Sequence, residues 1–226
     1  MTPVSKWLGR LLLRRQETGS IPQDAALTSL RYVVVDTELT SLDRRSNRIL
    51  SIGAIVMDGT RIRLGEQFYR VTNPGVAVPA ETILIHGLRQ VDVLQGISPS
   101  AAVEHFVAFA QGAVLVGHFV GIDLAALKKE LPAGAAALPN LAVDTYRIQR
   151  WLDLRSRAHE GDRGHQMGAV DLASLAKRYG LDATQAHHAL YDALLTAELW
   201  QRLIHELHIA GVRTLRQVLR IGKPVA

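Results

Sequence analysis

The sequence contains no cysteine and no hydrophobic run of the length that a membrane span needs. The absence of cysteine excludes disulfide bonds and thiolate metal sites, and it fits a reducing compartment. A membrane-spanning helix needs about 18 or more apolar residues in succession. The short apolar patch near the start is interrupted by Arg10 and followed by Arg14 and Arg15, which is a poor match to a secretory signal. We therefore expect a cytoplasmic protein without a membrane span.

Net positive charge is also lacking in the middle of the chain. The formal net charge is +5, but residues 1–28 and 211–226 together carry +6, which leaves about −1 between them. A basic total is typical of proteins that bind nucleic acid. If the central region binds phosphate groups, it must therefore do so through local groups or metal ions.

The 226 residues are enough for one substantial domain, and composition divides them into three segments. Residues 1–28 form a basic extension and linker, in which Trp7, Leu8 and Leu11 recur at helical spacing. This helix would lie on the domain, dock a partner or lie on a membrane surface. Residues 29–210 are the predicted main domain, and residues 211–226 are a basic C-terminal tail.

The hydrophobic pattern predicts a mixed α/β fold. Three strand-like runs follow one another with short links, "RYVVVDTE", "RILSIGAIVMDG" and "RIRLGEQFYRV", which is typical of an antiparallel meander. From Ser98 onward the pattern alternates between helices and short apolar strands, with Ser98 as a helix cap and Pro99 at the first helical position. The sequence therefore predicts a mixed sheet with helices on both faces.

Asp36 and Glu38 end the first of these strands. Alternate residues of a strand point to the same face, so the two carboxylates lie side by side. They repel each other unless a proton or a cation lies between them. A pair of solvated edge acids is the other interpretation of this pattern taken alone.

Two further acids stand at comparable places. Asp123 falls in the first turn of a helix after a buried strand, where it either favours the helix dipole or joins a ligand site at the strand end. Asp192 lies on one helical stripe with Leu195 and Leu199 and so points toward the core. A carboxylate in that position needs a partner, which is either an arginine or a shared metal ion.

His187 precedes Asp192 by five residues. Five steps along a regular helix turn about 500°, so the two side chains serve one site only if His187 lies in the loop or first turn before the helix. Otherwise His187 is a surface residue. Four carboxylates without thiolates suit Mg²⁺ or Mn²⁺, and two such ions serve phosphoryl transfer, with a nearby histidine to accept the proton of the attacking water.

Three motifs in order resemble the DEDDh, or DnaQ-like, family of 3′–5′ exonucleases, which includes the proofreading subunit of bacterial DNA polymerase III. They are "VVVDTELTSLD", "LVGHFVGIDLAAL" and "HHALYDALLTAEL", and "ILIHGL" and "AVDTYRIQRWL" also match stretches between the motifs. The resemblance covers about residues 31 to 205. It implies a ribonuclease H-like fold, two Mg²⁺ or Mn²⁺ ions held by Asp36, Glu38, Asp123 and Asp192, and His187 as general base.

The resemblance also indicates substrate-binding positions and departures from the family pattern. Thr37, Leu39, Thr40, His86 and Phe119 are the candidates for lining the nucleotide site. Many members have Thr where this chain has Leu39, and an apolar residue there would wedge against the terminal base. The second motif often has asparagine where this chain has Phe119, which changes the polar contacts near the second metal. His86 is equally compatible with core packing.

The function implied is removal of nucleotides from the 3′ end of DNA with release of nucleoside 5′-monophosphates. An RNA or short-oligonucleotide 3′–5′ exonuclease is the nearest alternative, and a non-catalytic nucleic-acid-binding adaptor is a second. The stretch "ALLTAEL" is closer to the DNA-proofreading type, so DNA is favoured over RNA. The sequence does not identify a polymerase or other protein partner.

Overall fold

The computed structural model describes residues 21–131, 138, 140–160, 170–184 and 187–225. The predicted helix within residues 1–20 lies outside this part of the chain. Five strands form one sheet in the order β3-β2-β1-β4-β5. Their bounds are β1 Arg31–Leu39, β2 Ile49–Asp58, β3 Arg61–Val71, β4 Val114–Gly117 and β5 Ala142–Asp144. Strands β1, β2 and β3 pair antiparallel, whereas β1 with β4 and β4 with β5 pair parallel.

This topology confirms the predicted mixed sheet with an antiparallel meander. The apolar run of β1 is continuous because helices cover both faces of the sheet. Tyr32 and Val34 face one side, where Tyr32 meets Trp200 edge to face, with ring centroids 5.6 Å apart. Val33 and Val35 face the other side and pack in the cluster that contains Phe106.

A short 3-10 helix, Leu27–Ser29, and eight α-helices lie in the described residues. The α-helices are α1 Ala80–His86, α2 Gln90–Leu94, α3 Pro99–Phe109, α4 Gly121–Lys129, α5 Thr145–Glu160, α6 Leu172–Arg178, α7 Ala189–Ile209 and α8 Leu215–Gly222. Helices α5 to α8 contribute to the core on the Tyr32 face, and α3 and α4 contribute to the core on the Val33 face. Ser98 caps α3 by accepting the backbone N–H of Ala101, with Pro99 at the first helical position. None of the described helices has the combination of length and apolar character needed to cross a bilayer.

The C-terminal segment differs from the sequence interpretation. Residues 211–226 were expected to form a basic tail, but Leu215 and Val218 of α8 are fully buried in the core. The helix is also tied to the linker before β1, because the backbone of Leu215 donates to Ala25 and that of Leu27 donates to Arg213. The basic residues alternate with these buried ones, which is why charge counting alone suggested a solvated tail.

Candidate metal and nucleic-acid site

Three carboxylates converge where β1 meets the start of α7. One carboxylate oxygen each from Asp36, Glu38 and Asp192 lies within 4.8 Å of the others. Asp36 and Glu38 stand two residues apart on β1 and therefore on the same face of the sheet. Asp192 lies in the first turn of α7, which packs on that face. The structure thus brings together three acids that are up to 156 positions apart in the sequence.

A glycine allows this close approach of helix and sheet. Gly53 of β2 lies opposite Asp36 in the antiparallel ladder. A Cβ atom at Gly53 would lie 2.2 Å from the backbone carbon of Ala189 and 2.2 Å from the backbone nitrogen of Leu190. Only a residue without a side chain leaves room for the first turn of α7 at this point. Gly53 therefore allows Asp192 to reach Asp36.

Asp123 reaches the cluster from the other side of β1. Its Oδ1 accepts hydrogen bonds from the backbone N–H of Thr37 at 2.9 Å and from the Thr37 hydroxyl at 2.6 Å. Thr37 lies between Asp36 and Glu38 and points to the opposite face, where α4 packs. Repulsion from Asp123 raises the pKa of both Asp36 and Glu38, so its charge belongs to the same group. Thr37, predicted to bind substrate, is here the hydrogen-bond donor to Asp123.

Burial and mutual repulsion raise the pKa values of these acids. Burial is the largest cause at Asp36, whose pKa lies well above its usual value, and Asp123, Glu38 and Asp192 add to the rise. Burial, followed by the charges of Asp192 and Asp123, raises the pKa of Glu38 to about 7. Burial raises the pKa of Asp123 to about 7, although the hydrogen bonds from Thr37 oppose the shift. Without a cation, this group of acids holds protons near neutral pH.

The described residues offer no lysine or arginine partner to relieve this repulsion. None of their lysines or arginines forms an ion pair with any of the four acids. This excludes, for the described residues, the structural ion pair that was the alternative explanation of Asp192. Oxygen donors crowded in this way are the ligand set that hard divalent cations prefer. The cluster therefore fits Mg²⁺ or Mn²⁺.

His187 lies before α7, outside the regular helix, as a shared site with Asp192 requires. Its backbone has a φ of 71°, in the left-handed region, and its N–H donates to Asp192 Oδ2 at 2.9 Å. The charges of His187 and His188 and this N–H act to lower the pKa of Asp192, but burial is larger and raises it overall. His187 is exposed, so its ring is accessible to a substrate at the cluster.

Two further histidines, His86 and His188, are neighbours of His187. His86 is buried, and its Nδ1 accepts the backbone N–H of Leu88 at 3.0 Å. Burial and then the charge of His187 lower the pKa of His86, which favours its neutral form. His188 stacks on Tyr69, with ring centroids 4.7 Å apart. The two histidines therefore differ in their surroundings. The ring of His86 is buried and bonded to the backbone, whereas the ring of His188 is stacked on Tyr69.

Besides His86, the structure buries two more of the predicted substrate-binding residues, Leu39 and Thr40. Leu39 is 9% exposed and packs in the core with Val33 and Val35, so little of it is left to wedge against a base. Thr40 is also buried, and its hydroxyl accepts the backbone N–H of Arg48 at 2.9 Å, which closes the loop between β1 and β2. A β-bulge between Glu38 and Leu39 turns the chain at this point. Neither burial was readable from the motif alone.

Asp144 is a residue of the site that the sequence analysis did not identify. It ends β5 opposite Gly117 of β4, and it raises the pKa of Asp123 by repulsion. Its Oδ1 accepts the backbone N–H groups of Phe119 and Tyr146, both at 3.0 Å. Burial raises the pKa of Asp144 to about 6 despite these hydrogen bonds. An acid at the carboxyl end of a short apolar strand was the sequence signal that could have identified Asp144.

Comparison with protein families gives one match over most of the chain. A family model described as "Exonuclease" matches residues 33–200. Among curated proteins, a "DNA polymerase III subunit epsilon-like protein" from Rhodobacter capsulatus is 32% identical over 201 residues, which are 87% of this chain and 27% of that protein. A "DNA polymerase III PolC-type" from Staphylococcus saprophyticus is 27% identical over 201 residues, which are 87% of this chain and 13% of that protein. The chain therefore spans about a quarter or less of the length of these curated relatives.

Solved structures show the same fold. E. coli Exonuclease I in complex with a dT13 oligonucleotide matches with a TM-score of 0.65 and 14% identity, over 80% of this chain and 42% of that chain. Exonuclease X in complex with 5′ overhanging duplex DNA matches with a TM-score of 0.59 and 20% identity, over 84% of this chain and 98% of that chain. Cell-death related nuclease 4 matches with a TM-score of 0.62 and 16% identity, over 79% of this chain and 64% of that chain. The sheet is therefore ribonuclease H-like, as the resemblance implied.

Proposed function

Because the chain belongs to the exonuclease family whose model spans residues 33–200, we propose that it removes nucleotides one at a time from the 3′ end of DNA. The products are nucleoside 5′-monophosphates. The observation that carries this proposal is the convergence of Asp36, Glu38 and Asp192, with Asp123 adjoining and with no lysine or arginine partner among the described residues.

The four acids would hold two divalent ions, Mg²⁺ or Mn²⁺. Asp36 would be the shared ligand, and its electrostatic interaction with all three of the other acids supports this role. When bound, the ions supply a nucleophilic water and stabilise the charge that develops on the attacking and leaving oxygens. Their positive charge also reverses the local field, so that an acidic cluster becomes a site for a phosphate group.

His187 would act as the general base. Its backbone is fixed to Asp192, and its ring is exposed beside the cluster. A histidine in this position can accept a proton from the attacking water through a ring nitrogen. Thr37 would act indirectly, because its two hydrogen bonds hold Asp123 in place.

DNA is the proposed substrate, with RNA or a short oligonucleotide as the alternative. Two curated relatives are named for DNA polymerase III, and two solved structures with the same fold are complexes with DNA. Hydrolysis rates measured on DNA and RNA strands of equal sequence distinguish the two substrates. A protein partner, such as a polymerase, is not identified by the described surface.

The test is a 3′ shortening assay on 5′-labelled single-stranded DNA, with Mg²⁺, with Mn²⁺ and with a chelator. The wild-type protein should produce a ladder of shortened strands and nucleoside 5′-monophosphates only with a divalent ion. Asp36→Ala should lose this activity, because the shared ligand is gone. Asp58→Ala is the matched control, since Asp58 is an exposed acid that pairs with Arg31 and Arg63. Absence of metal-dependent shortening of both DNA and RNA would contradict the proposal.

A further inference from the structure

Three basic side chains from distant parts of the chain lie near the start of α4. Arg44 stands in the loop between β1 and β2, Arg147 in the first turn of α5, and Lys223 directly after α8. None of the three forms an ion pair with an acid of the described residues. Arg44 and Lys223 are exposed, and Arg147 is half-buried. We call Arg44, Arg147 and Lys223 the basic patch.

The loop that carries Arg44 is attached to both ends of α4. At the end of the helix, the Nζ of Lys129 donates to the backbone carbonyl oxygens of Arg44 at 3.0 Å and of Asn47 at 2.9 Å. At its start, a Cβ atom built on Gly121 would lie 3.8 Å from Nη2 of Arg44. Gly121 precedes Asp123 by two residues. The guanidinium group of Arg44 is therefore held close to one of the four acids.

The chain after α8 brings Lys223 to the same place. Gly222 packs on α5, where an added Cβ atom would lie 2.7 Å from Cδ1 of Ile148. The backbone oxygen of Val225 lies at the start of α4, 2.3 Å from a Cβ atom built on Gly121. Lys223 stands between these two contacts. Positive charge from the C-terminal segment is thus fixed to the domain beside α4, and it is not dispersed in a solvated tail.

Arg147 adjoins the start of α4 through Asp144. The Oδ1 of Asp144 accepts the backbone N–H of Phe119 at 3.0 Å, and Phe119 is 37% exposed, so the surface here is open. Burial raises the pKa of Asp144, and the charge of Arg147 opposes that rise. The Nε of Arg147 is buried and has no hydrogen-bond partner among the described residues. A buried donor of this kind is costly to leave unpaired, which indicates a partner outside those residues.

The basic patch has the charge that the rest of the domain lacks. Residues 29–210 carry a net charge of about −1 from their side chains, and the acidic cluster alone repels phosphate groups. The patch gathers three positive side chains next to the positive end of the α4 dipole. Like charges placed together in this way favour an anion between them. A polyanion that enters the acidic cluster at one end can meet the basic patch with its next phosphate groups.

We propose that the basic patch binds phosphate groups of the substrate strand upstream of its 3′ end. The inference rests on the proposed function and adds to it the surface that holds the rest of the strand. Phosphate contacts fix the position of a strand and carry no sequence information, so the patch should act equally on any sequence. Its contribution should depend on salt, because each neutralised phosphate releases counterions.

The test uses variants that remove charge and keep a polar side chain. They are Arg44→Gln, Arg147→Gln, Lys223→Gln and the triple variant. Arg213→Gln is the matched control, because Arg213 is exposed and has no ion pair in the described part of the chain. Its backbone oxygen accepts the N–H of Leu27, before β1, at the end of the sheet remote from Asp36.

The dissociation constant of a single DNA strand is measured by fluorescence anisotropy with Ca²⁺, at about 50 to 300 mM salt. Each single variant should reduce the slope of log affinity against log salt by about 0.7, and the triple variant by about 2. At 0.1 M salt this corresponds to a roughly fivefold rise in Kd for each lost contact. Arg213→Gln should keep the slope and the Kd of the wild type.

Strands with one uncharged methylphosphonate linkage, placed at each of the 3′-terminal linkages in turn, locate the contacts. The effect of Arg44→Gln on Kd should fall below about twofold on the strand whose neutral linkage is the partner of Arg44, because the contact is already lost. The same series tested with Lys223→Gln locates the partner of Lys223. RNA strands of equal sequence should show the same losses, since phosphate is common to both.

Melting temperatures identify any variant that is destabilised. If Arg147→Gln melts lower than the wild type, Arg147→Lys and the double variant of Arg44 and Lys223 replace it. Arg147→Lys should then keep the wild-type slope, and the double variant should lose about 1.4 in slope.

The two proposals fail in different ways. If the wild type hydrolyses nothing yet binding follows this pattern, the proposed function fails and the basic patch stands. If the wild type shortens strands but the triple variant keeps the wild-type slope, the proposal for the patch is overturned. Equal losses in Arg213→Gln, or losses on DNA that are absent on RNA, would also overturn it.

Discussion

Two side chains sit on strained backbone next to the acids. Among the described residues other than glycine, Phe119 and His187 are the ones with a positive φ, at 54° and 71°. Each is stabilised by a hydrogen bond from its own N–H to a buried aspartate, Asp144 for Phe119 and Asp192 for His187. The same type of hydrogen bond therefore holds the backbone of both residues beside the acids.

His187→Asn should separate the ring of His187 from its backbone role. Asparagine tolerates the left-handed conformation, so the hydrogen bond from residue 187 to Asp192 should remain. Loss of a general base should lower kcat by about 100- to 10,000-fold while Mn²⁺ affinity changes little. Single-turnover rates and titration calorimetry with Mn²⁺ measure the two effects.

The control for this substitution is His208→Asn, in the last turn of α7, which should leave both quantities unchanged. An unaltered rate in His187→Asn would remove His187 from the role of general base. A large loss of Mn²⁺ affinity would instead indicate that residue 187 acts through Asp192.

At the scale of elements, the contact between α7 and β2 decides where Asp192 stands. The first turn of α7 lies directly on Gly53, with no space for a Cβ atom. Gly53 pairs with Asp36 across the ladder, so the helix start and the acid on β1 are brought to the same place. Helix α7 continues from there as the most buried helix of the Tyr32 face, with Trp200 and Leu203 fully buried.

Gly53→Ala should weaken both the fold and the metal site. The added methyl group forces α7 away from β2, and overpacking of this kind costs about 1–3 kcal/mol of unfolding free energy. The shift carries Asp192 away from Asp36 and should lower Mn²⁺ affinity. Urea unfolding and titration calorimetry measure the two changes.

Gly65→Ala is the matched control for this change, because a Cβ atom at Gly65 of β3 meets nothing within 4 Å. It should leave stability and Mn²⁺ affinity close to those of the wild type. A Gly53→Ala protein with unchanged Mn²⁺ affinity would show that the cluster does not depend on this contact.

At the scale of the whole molecule, the sheet gathers like charges at one end. The carboxyl ends of the parallel strands β1, β4 and β5 lie side by side, and the acids Asp36, Asp123 and Asp144 follow or end these strands. Burial of several carboxyls together makes the folded protein hold protons that the unfolded chain releases. The stability of the whole domain is therefore linked to pH and to divalent ions.

Without metal, stability should fall as the pH rises from about 5 to 8. The folded pKa values of Glu38 and Asp123 are about 7, above their usual 4.5 and 3.8, so their contribution is fully present at low pH and is lost as the pH rises through 7. Acids with lowered pKa values, such as Asp92, act below pH 4 and outside this window. The lowered pKa of the buried His118, about 4, acts in the opposite direction up to about pH 6.5, but the raised pKa values of the buried acids Asp36, Glu38, Asp123 and Asp144 together outweigh it. Mn²⁺ should raise the melting temperature more at pH 8 than at pH 5, since it binds the ionised acids.

Calorimetry at pH 5 and pH 8, with chelator and with Mn²⁺, measures this linkage. Asp123→Asn should show a smaller fall in melting temperature between the two pH values with chelator, because one shifted carboxyl is removed. A melting temperature that rises between pH 5 and pH 8 without metal, or equal stabilisation by Mn²⁺ at both, would contradict the linkage.

Local patterns predicted the elements well because periodicity is a local property. Alternation in "RYVVVDTE" placed Asp36 and Glu38 on one face, and the leucine stripe of α7 turned Asp192 toward the core. The hydrogen bonds of Thr37 to Asp123 join residues 86 positions apart, and those of Phe119 to Asp144 join residues 25 apart. No local pattern reports such contacts, so the burial of Leu39, the role of Thr37 and the presence of Asp144 emerged only from the fold.

The sequence by itself determined the strands, the helices α3 to α7, the four acids and their order, because each depends on residue type and short-range spacing. The tertiary structure decided which acids meet, what holds Asp123, and that α8 belongs to the core. These depend on distances between segments far apart in the chain. Such distances are set by packing of whole faces against one another, a property that no single segment carries.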